Sequence, residues 1–537
     1  MKTMSQAMLL AVLAATPLGL APLRAASPAA PAAPLPRSGE IFTPQDIEST
    51  GAVTVGGQRI AYHAHAGTLV VHPEGWDDTA KLETSGAKNG EEATAPVAAM
   101  SYVAYFKDGA AAGERPITFV FNGGPGSSTL WLHMGAFGPM RVVTSTDQHT
   151  PAAPYRLVNN DDSLLDVSDV VFIDAPGTGF GRIAGKDKDK AFYGVDQDIH
   201  AFAEFIGQFL TRYSRWNSPK YLFGESYGTM RAAGLTLALQ RKDIDLNGTI
   251  LLSDILNWDL MPDDPQLNPG IDEPYIVALP TYAATAWYHD RLPGKPADLD
   301  GFLAEVEHFA TTDYAAALLQ GNDLSDADRQ AMAQRLHAYT GLPVAYLLKT
   351  NLRIEYGAFQ KELLGDAGLT TGTLDTRFTG PTMDPLSKVA SYDPQSAAIS
   401  SAYVAAFNGY VRERLHVPAD QTYKPGISVY SDWDYRHRPP GSGHALIALP
   451  NVLPDLATAM KHNPTLKVMV NGGYFDVSTP YFAGKFELRH LPVPPALRSN
   501  IEYHYYRSGH MVYVIPQMLA RLHANVADFI RRSDGVH

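Results

Sequence analysis

Short, continuous runs of apolar residues recur along the chain and are separated by longer stretches of helical or loop character. Six of these runs have the length of a buried strand: ITFVFNGG (117–124), VVFIDAPG (170–177), YLFGES (221–226), TILLSD (249–254), LKVMVNGG (466–473) and NIEYHYYRSG (500–509). Strands that are apolar throughout, and that alternate with helices such as DIHAFAEFIGQFLTRY, are typical of a parallel sheet covered on both faces. The pattern therefore predicts an α/β fold with a mostly parallel sheet flanked by helices.

Two regions depart from this pattern. VTVGGQRIAYHAHAGTLVVH and AMSYVAYFK alternate between apolar and polar residues, which indicates antiparallel strands at the entry to the sheet. From roughly Leu260 to Lys461 the sequence becomes helical and loop-rich, and we interpret this region as a large cap inserted between strands. The predicted division is 41–259 for the first part of the sheet domain, 260–461 for the cap and 462–537 for the second part.

The N-terminus has the composition of an export signal. Lys2 precedes an apolar run from Ala7 to about Leu20, and small residues follow, which together predict a signal peptide over 1–26. Residues 27–40, rich in Pro and Ala, are interpreted as a linker that packs no core. A disordered, alanine-rich tail is the alternative to the signal peptide.

Composition and net charge exclude several classes of protein. The 537-residue chain is 45% hydrophobic and long enough for a large core, and its net charge of −13 without a long run of one sign argues against nucleic-acid binding. No later segment is predicted to span a membrane. The absence of cysteine excludes disulfides and thiolate chemistry, and in an exported protein it favours a bacterial periplasm or exterior.

Candidate chemistry begins with YLFGESYGTM (221–230). A serine with a glycine two residues to either side, directly after a strand, is the pattern of a nucleophile on a sharp strand-to-helix turn. Earlier, Asn122-Gly123-Gly124-Pro125-Gly126 follows another strand and offers backbone N–H groups for an anion or a developing oxyanion. A phosphate-binding loop would need the lysine of G-x-x-x-x-G-K-[ST], which this segment lacks.

Two later strand ends supply an acid and a base. Asp476 lies just beyond LKVMV and His510 just beyond NIEYHYYRSG, so the order along the chain is Ser226, Asp476, His510. This is the order of nucleophile, acid and base in α/β-hydrolases. His510 would take the Ser226 proton, and Asp476 would orient the imidazole. Each motif alone is also compatible with a structural turn, a loop histidine or a helix N-cap at Asp476.

The segments FNGGPGSS, FIDAPGTGFG, GESYG, GGYFD and SGHMV, in this order, resemble the serine carboxypeptidases, the S10 peptidase family, from about Pro116 to Tyr513. The resemblance implies an α/β-hydrolase fold with a helical cap, no cofactor and no metal, and peptide substrates with a free C-terminus. It assigns roles to eight residues: the triad is Ser226, Asp476 and His510, the oxyanion hole is formed by Gly124 and Tyr227, and the carboxylate site is formed by Asn122, Gly123 and Glu225.

Glu225 would hold the substrate's terminal carboxylate only while a proton is present, because two facing carboxyl groups cannot both ionise cheaply. The alternative is a structural side chain held by a nearby amide. Relatives commonly place a glutamate three residues before the proline of E-L-G-P, where this chain has Ala136, so a less elevated Glu225 pKa is expected. Ser127 replaces the family's usual cysteine, and Gly473 to Asp476 lack a second acid.

The sequence therefore predicts a secreted serine carboxypeptidase, of a bacterial type, that acts through an acyl-enzyme. Two alternatives stay open: an esterase or acyltransferase with the same triad, and a catalytically silent peptide-binding relative. His63 and His65 lie on one face of a strand at a spacing that suits a metal, but no third ligand accompanies them. The aromatic and arginine-rich segment 431–444 is compatible with a pocket wall or with a structural turn.

Overall fold

The structure is a computed structural model that describes residues 42–76, 95–261 and 265–535. The predicted signal peptide (1–26) and linker (27–40) lie outside these residues. Among the described helices, none combines the length and the apolar character needed to cross a membrane.

The strands form one large sheet and two small ones. Their bounds are β1 (Gln45–Val55), β2 (Gln58–Val71), β3 (Val97–Lys107), β4 (Ile117–Phe121), β5 (Met140–Val142), β6 (Leu157–Asn159), β7 (Asp169–Ile173), β8 (Arg182–Ala184), β9 (Lys220–Glu225), β10 (Gly248–Leu252), β11 (Leu369–Thr371), β12 (Thr379–Pro381), β13 (Lys467–Gly473) and β14 (Ile501–Tyr506). The large sheet has the order β1-β2-β3-β7-β4-β9-β10-β13-β14, with β8 paired to β3.

The two kinds of sequence pattern correspond to the two parts of this sheet. The alternating segments form the antiparallel strands β1 to β3, and the hairpin between β1 and β2 turns at Gly56 and Gly57, both with positive φ. The apolar runs form the parallel strands β7, β4, β9, β10, β13 and β14. Every residue of β4, β7, β9 and β10 is buried, as expected for strands covered on both faces.

Helices cover both faces of the sheet. The α-helices of at least five residues in the described part of the chain are α1 (Lys188–Phe192), α2 (Val195–Arg212), α3 (Tyr227–Gln240), α4 (Glu273–Tyr288), α5 (Leu299–Phe309), α6 (Ala315–Gln320), α7 (Asp326–Thr340), α8 (Val344–Lys349), α9 (Tyr356–Glu362), α10 (Pro394–Glu413), α11 (Leu453–His462), α12 (Tyr481–Arg489) and α13 (Pro516–Ser533). One core cluster joins α2, α3 and α11 to one face of the sheet, and another joins α10 and α13 to the opposite face. The predicted fold class is confirmed.

The chain between β10 and β13 carries the helices α4 to α11 and the small β11–β12 sheet. Most of these helices share a third core cluster with Phe475, Val477 and Tyr481, which follow β13. The last one, α11, packs on α3 beside the sheet. The cap boundaries 260 and 461 stay a prediction.

The topology places the ends of β4, β7 and β9 side by side. Along the chain β4 precedes both β7 and β9, yet it lies between them in the sheet. Such a reversal of strand order leaves a crevice outside the carboxyl ends of the parallel strands, and ligands bind there in open α/β sheets. The segments after β4 and β9 are the NGGPG loop and the serine turn.

Candidate active site

Ser226 stands at the sharp turn between β9 and α3. Its backbone has φ 62° and ψ −134°, a conformation that L-residues rarely adopt and that costs on the order of 1–3 kcal/mol. The flanking glycines are required by space: a Cβ on Gly224 would lie 2.1 Å from the carbonyl oxygen of Gly228, and a Cβ on Gly228 would lie 2.9 Å from that of Phe121. The turn presents Ser226 to a cavity that His510 also lines.

His510 and Asp476 form a buried pair. The Nδ1 atom of His510 lies 2.7 Å from Oδ2 of Asp476. Oδ1 of Asp476 accepts the backbone N–H groups of Ser478 and Thr479 at 2.9 and 3.0 Å, so the carboxylate is held in one orientation. Burial lowers the pKa of His510, but the charge and the hydrogen bond of Asp476 outweigh it and raise that pKa above its usual value.

The inserted region helps to hold the histidine loop. The His510 N–H donates to the carbonyl of Leu374 at 2.7 Å, and the Ser253 hydroxyl donates to the carbonyl of His510 at 2.8 Å. Gly509 touches the same inserted loop, because a Cβ there would lie 2.4 Å from the Cβ of Asp375. The position of His510 therefore depends both on the inserted region, through Leu374, and on the residues directly after β10, through Ser253.

The NGGPG loop lies against the first turn of α3. A Cβ on Gly123 would lie 2.5 Å from the backbone nitrogen of Tyr227 and 2.7 Å from that of Gly228. Gly124 has φ 109° and lines the cavity together with Ser226. Backbone N–H groups at a helix start favour negative charge. The structure thus brings together the two residues predicted to form the oxyanion hole, Gly124 and Tyr227, on either side of the Ser226 turn.

Glu225 is buried beside this loop and accepts hydrogen bonds from two side chains. The Nδ2 group of Asn122 donates to Oε2 of Glu225, and the Tyr513 hydroxyl lies 3.1 and 3.0 Å from the two carboxyl oxygens. Burial raises the pKa of Glu225 to about 7, even though the nearby His510 and both hydrogen bonds favour the charged form. The elevation is thus due chiefly to burial, with a smaller contribution from the charge of Asp476, and a second carboxyl at the position of Ala136 is not needed for it.

Tyr513 is a site residue that the sequence reasoning missed. It lies in the SGHMVY segment, three residues after His510, and a phenol there carries no signal in the local pattern. Its ring approaches the helical turn that contains Ala136, because a Cβ on Gly135 would lie 2.6 Å from Cδ2 of Tyr513. Tyr513 thus supplies a neutral donor to Glu225 from the region where relatives commonly have the pairing acid.

A second missed element lies beneath the loop. Arg231 and Asp198 are both fully buried, with Nε of Arg231 2.6 Å from Oδ2 of Asp198. Nη1 of Arg231 donates to the carbonyl of Asn122 at 2.6 Å. Loss of one member of such a buried pair typically costs about 3–5 kcal/mol. This ion pair therefore fixes the backbone from which the Asn122 side chain reaches Glu225.

The cavity has a volume of about 250 Å³. Of the eight predicted site residues, Asn122, Gly123, Gly124, Glu225, Ser226 and His510 line it, while Asp476 and Tyr227 lie directly behind it. A further part of the wall comes from the inserted region, chiefly from the first two turns of α10. The structure thus brings all eight predicted residues to one place.

The remaining candidates lie elsewhere or have structural partners. His63 and His65 each bond a neighbouring carboxylate, on Glu48 and Asp46, at 2.9 Å. Across the described residues, no group of three or more potential metal ligands is assembled.

The segment 431–444 is a strap beside the site. His437 lies between the carboxylates of Asp196 and Asp455, at 2.6 and 2.9 Å. Just before the segment, the Tyr430 hydroxyl donates to the carbonyl of Gly124 at 3.0 Å and lines the cavity. Tyr430, the residue directly before the strap, therefore borders the cavity, while His437 ties the strap to the helices α2 and α11.

Together the sheet order, the serine on a strand–helix turn and the histidine–aspartate pair at two later strand ends define a serine hydrolase of the α/β-hydrolase fold. Residues 96–251 match the serine carboxypeptidase family, peptidase S10, which supports this family for that part of the chain.

The chain is also similar to two fungal proteins, both described as pheromone-processing carboxypeptidase KEX1. The protein from Yarrowia lipolytica is 32% identical over 142 residues, which cover 26% of this chain and 21% of the relative. The protein from Cryptococcus gattii is 31% identical over 118 residues, which cover 22% of this chain and 16% of the relative. The chain thus spans about a fifth or less of the length of these relatives, and they give no support to a bacterial type.

Similar solved structures include a proline iminopeptidase from Mycobacterium smegmatis and a monoglyceride lipase from Saccharomyces cerevisiae. The first is 14% identical with a TM-score of 0.30, and the alignment covers 90% of this chain and 99% of the iminopeptidase chain. The second is 9% identical with a TM-score of 0.33, and it covers 83% of this chain and 94% of its own. At these scores neither likeness bears on the function.

Proposed function

We propose that the protein is a serine carboxypeptidase that removes C-terminal residues from peptides through a Ser226–His510–Asp476 triad and an acyl-enzyme. The observation that carries the proposal is the buried cluster of Asn122, Glu225 and Tyr513, which shares one cavity with Ser226 and His510. A hydrolytic serine beside a carboxyl group whose pKa is raised to about 7 suits a substrate that ends in a carboxylate near the scissile bond.

The proton transfers follow from the geometry. His510 accepts the Ser226 proton on Nε2, because Nδ1 faces Asp476, and the serine oxygen attacks the carbonyl carbon of the last peptide bond. The N–H groups of Gly124 and Tyr227 stabilise the oxyanion. His510 then donates the proton to the nitrogen of the departing residue, and water hydrolyses the acyl-enzyme by the same route. The proposed steps need water and the groups of this chain, and they call for no metal or organic cofactor.

Glu225 supplies the selectivity for a free C-terminus. In its protonated form it donates a hydrogen bond to the terminal carboxylate, and the Asn122 amide and the Gly123 N–H lie beside it. In its ionised form it places a buried negative charge next to the ligand's negative charge, which disfavours binding. The same side chain thus selects for the carboxylate and makes binding depend on pH.

The proposal is tested with one blocked dipeptide in three forms: the free acid, the C-terminal amide and the C-terminal ester. We expect the acid to have a higher kcat/KM than the amide below about pH 7, and this preference to fall at higher pH as Glu225 ionises. Ser226→Ala serves as the control for background hydrolysis.

Other outcomes point to the alternatives. Hydrolysis of the ester alone would assign the site to an esterase or acyltransferase. No hydrolysis of any form, together with no reaction of Ser226 with an organophosphonate, would assign it to a silent binding protein.

We further propose that the protein is exported, on the basis of the apolar run at residues 7–20 and the absence of cysteine. The periplasm of a bacterium is the proposed location. Expression of the full chain with an epitope at its C-terminus, followed by fractionation, tests this: retention of an unprocessed chain in the cytoplasm would contradict it.

A further inference from the structure

Gln395 has an unsatisfied amide in the wall of the active-site cavity. It lies in the first turn of α10, it is fully buried, and it lines the cavity together with Ser226 and His510. Neither its Nε2 nor its Oε1 has a hydrogen-bond partner among the described residues. A buried amide without partners is unfavourable, because its donor and acceptor have lost their hydrogen bonds to water, so such a group calls for a partner that enters the cavity.

The neighbouring polar groups are already engaged. The Ser396 hydroxyl donates to Oδ2 of Asp393 at 2.6 Å, and the Ser127 hydroxyl accepts from Nε1 of Trp131 at 3.1 Å. Asp393 itself caps α10 and also accepts the Thr373 N–H at 2.7 Å. Gln395 is therefore held in place by a fixed helix start, while its own donor and acceptor remain available to a ligand.

The position along α10 indicates which part of a substrate Gln395 meets. The helix starts beside the inserted loop whose Leu374 carbonyl holds the His510 backbone. Further along, Tyr403 approaches Tyr513, since a Cβ on Gly135 would lie 2.6 Å from both the Tyr403 hydroxyl oxygen and the Tyr513 ring. The cavity-lining face of α10 thus runs from the His510 side towards the Glu225 cluster.

The departing residue must occupy the same span. In the proposed function its nitrogen takes the proton from His510 and its carboxylate reaches Asn122 and Glu225. Both ends of its backbone are then engaged, and its side chain is the part left to pair with the wall formed by α10. A primary amide offers one donor and one acceptor on the same edge, and its best complement is a second primary amide.

Building on the proposed function, we propose that Gln395 is a specificity-determining residue that selects peptides whose C-terminal residue carries a side-chain amide, glutamine or asparagine. A site built to hydrogen-bond a substrate group rejects the analogue that lacks the group, because its own buried polar atoms then stay unpaired. Since the glutamine amide does not titrate, this selectivity is independent of pH, unlike the binding of the carboxylate.

The test compares two blocked dipeptides that differ only in a C-terminal glutamine or methionine, two side chains of similar length. The wild type is expected to favour glutamine in kcat/KM by about 10- to 100-fold. In Gln395→Met the preference should vanish or reverse, with methionine cleaved at least as fast as by the wild type. Activity on the methionine peptide also reports that the variant is folded.

Gln360→Met is the matched control, because Gln360 is a buried glutamine of the same inserted region whose Nε2 already donates to Thr371 at 2.9 Å. It should leave the ratio of the two substrates unchanged, whatever it does to stability. Equal wild-type kcat/KM for the two peptides would overturn the inference while the proposed function stands. The inference would also be overturned if the enzyme prefers a side-chain amide on the residue before the scissile bond and not on the C-terminal residue. Hydrolysis of neither peptide would overturn both.

Discussion

Glu225→Gln is expected to change the shape of the pH–rate profile of the protein. In the wild type, burial raises the pKa of Glu225 to about 7, and we propose that only the protonated form holds the substrate carboxylate. The glutamine variant keeps a neutral hydrogen-bonding amide at every pH. Its kcat/KM should therefore lack the decline that the wild type shows as Glu225 loses its proton.

The size of the effect follows from the titration of one group. With a pKa of about 7, about half of the free enzyme is protonated at pH 7 and about one tenth at pH 8. If the variant and the wild type are matched at about pH 5, the ratio of variant to wild-type kcat/KM should rise roughly tenfold by pH 8. Each further pH unit should add about another factor of ten.

The acidic side of the profile should move as well. The ionised Glu225 is one of the groups that raise the pKa of His510, after Asp476. Because Glu225→Gln removes this charge, His510 should lose its proton at lower pH, and the rising limb should shift in that direction. Tyr513→Phe should shift the falling limb instead of removing it. The variant lacks a hydrogen bond that favours ionised Glu225, so the pKa of Glu225 should rise and the falling limb should move to higher pH.

The assay is kcat/KM for one blocked dipeptide acid from about pH 5 to about pH 9, for the wild type and both variants. Glu487→Gln is the matched control, because Glu487 is another buried carboxyl with a raised pKa, but it accepts the N–H groups of Leu256 and Asn257 and does not line the cavity. It should keep the falling limb. Superimposable profiles for the wild type and Glu225→Gln, or equal rates on acid and amide substrates, would refute the role of Glu225.

Further predictions concern the triad and the strap. Ser226→Ala should abolish turnover and leave the thermal unfolding profile intact, and an organophosphonate should label Ser226 alone in the wild type; a second labelled serine would contradict this. Asp476→Asn should lower kcat by roughly 10⁴ with little change in KM, because the amide stabilises the wrong tautomer of His510; near-wild-type kcat would mean that another acid holds the histidine. Burial lowers the pKa of His437, but two carboxylates raise it to about 9, so its stabilising charge is fully present below about pH 6.5 and is lost through about pH 9, a change on the order of 3 kcal/mol. The Tm of His437→Gln should therefore fall less than that of the wild type between about pH 6 and about pH 9; equal falls would exclude the strap ion pairs as the cause.

The sheet and its nucleophile turn were predictable from the sequence because each depends on local rules. Fully apolar strands have to be buried on both faces. At positions 224 and 228, beside the Ser226 turn, only glycine fits the available space. The positions of Asp476 and His510 follow from the topology, since each lies just past the carboxyl end of a strand of the parallel part of the sheet.

The cavity wall was not predictable in the same way. Gln395 reaches the site from α10 in the inserted region, far from Ser226 along the chain, and nothing in its neighbourhood distinguishes it from an ordinary helix residue. The same holds for Asp198, whose pairing with Arg231 beneath the Asn122 loop depends on how α2 and α3 pack. Such contacts are determined by tertiary packing, and single-sequence patterns carry no information about them.

The pKa of Glu225 is raised although no acid stands at Ala136, and the comparison with relatives that have the pairing acid stays a prediction. The absence of an acid at Ala136 led to the expectation of a less elevated Glu225 pKa, because a pair of facing carboxyls was taken as the source of the shift. Desolvation is the larger cause here, and it depends on the residues that exclude water, among them Tyr513. A phenol in contact with both carboxyl oxygens favours the ionised state, whereas a second acid would oppose it. The two arrangements should therefore both yield a pH-dependent site, and they should differ in the sign with which removal of the partner moves the falling limb.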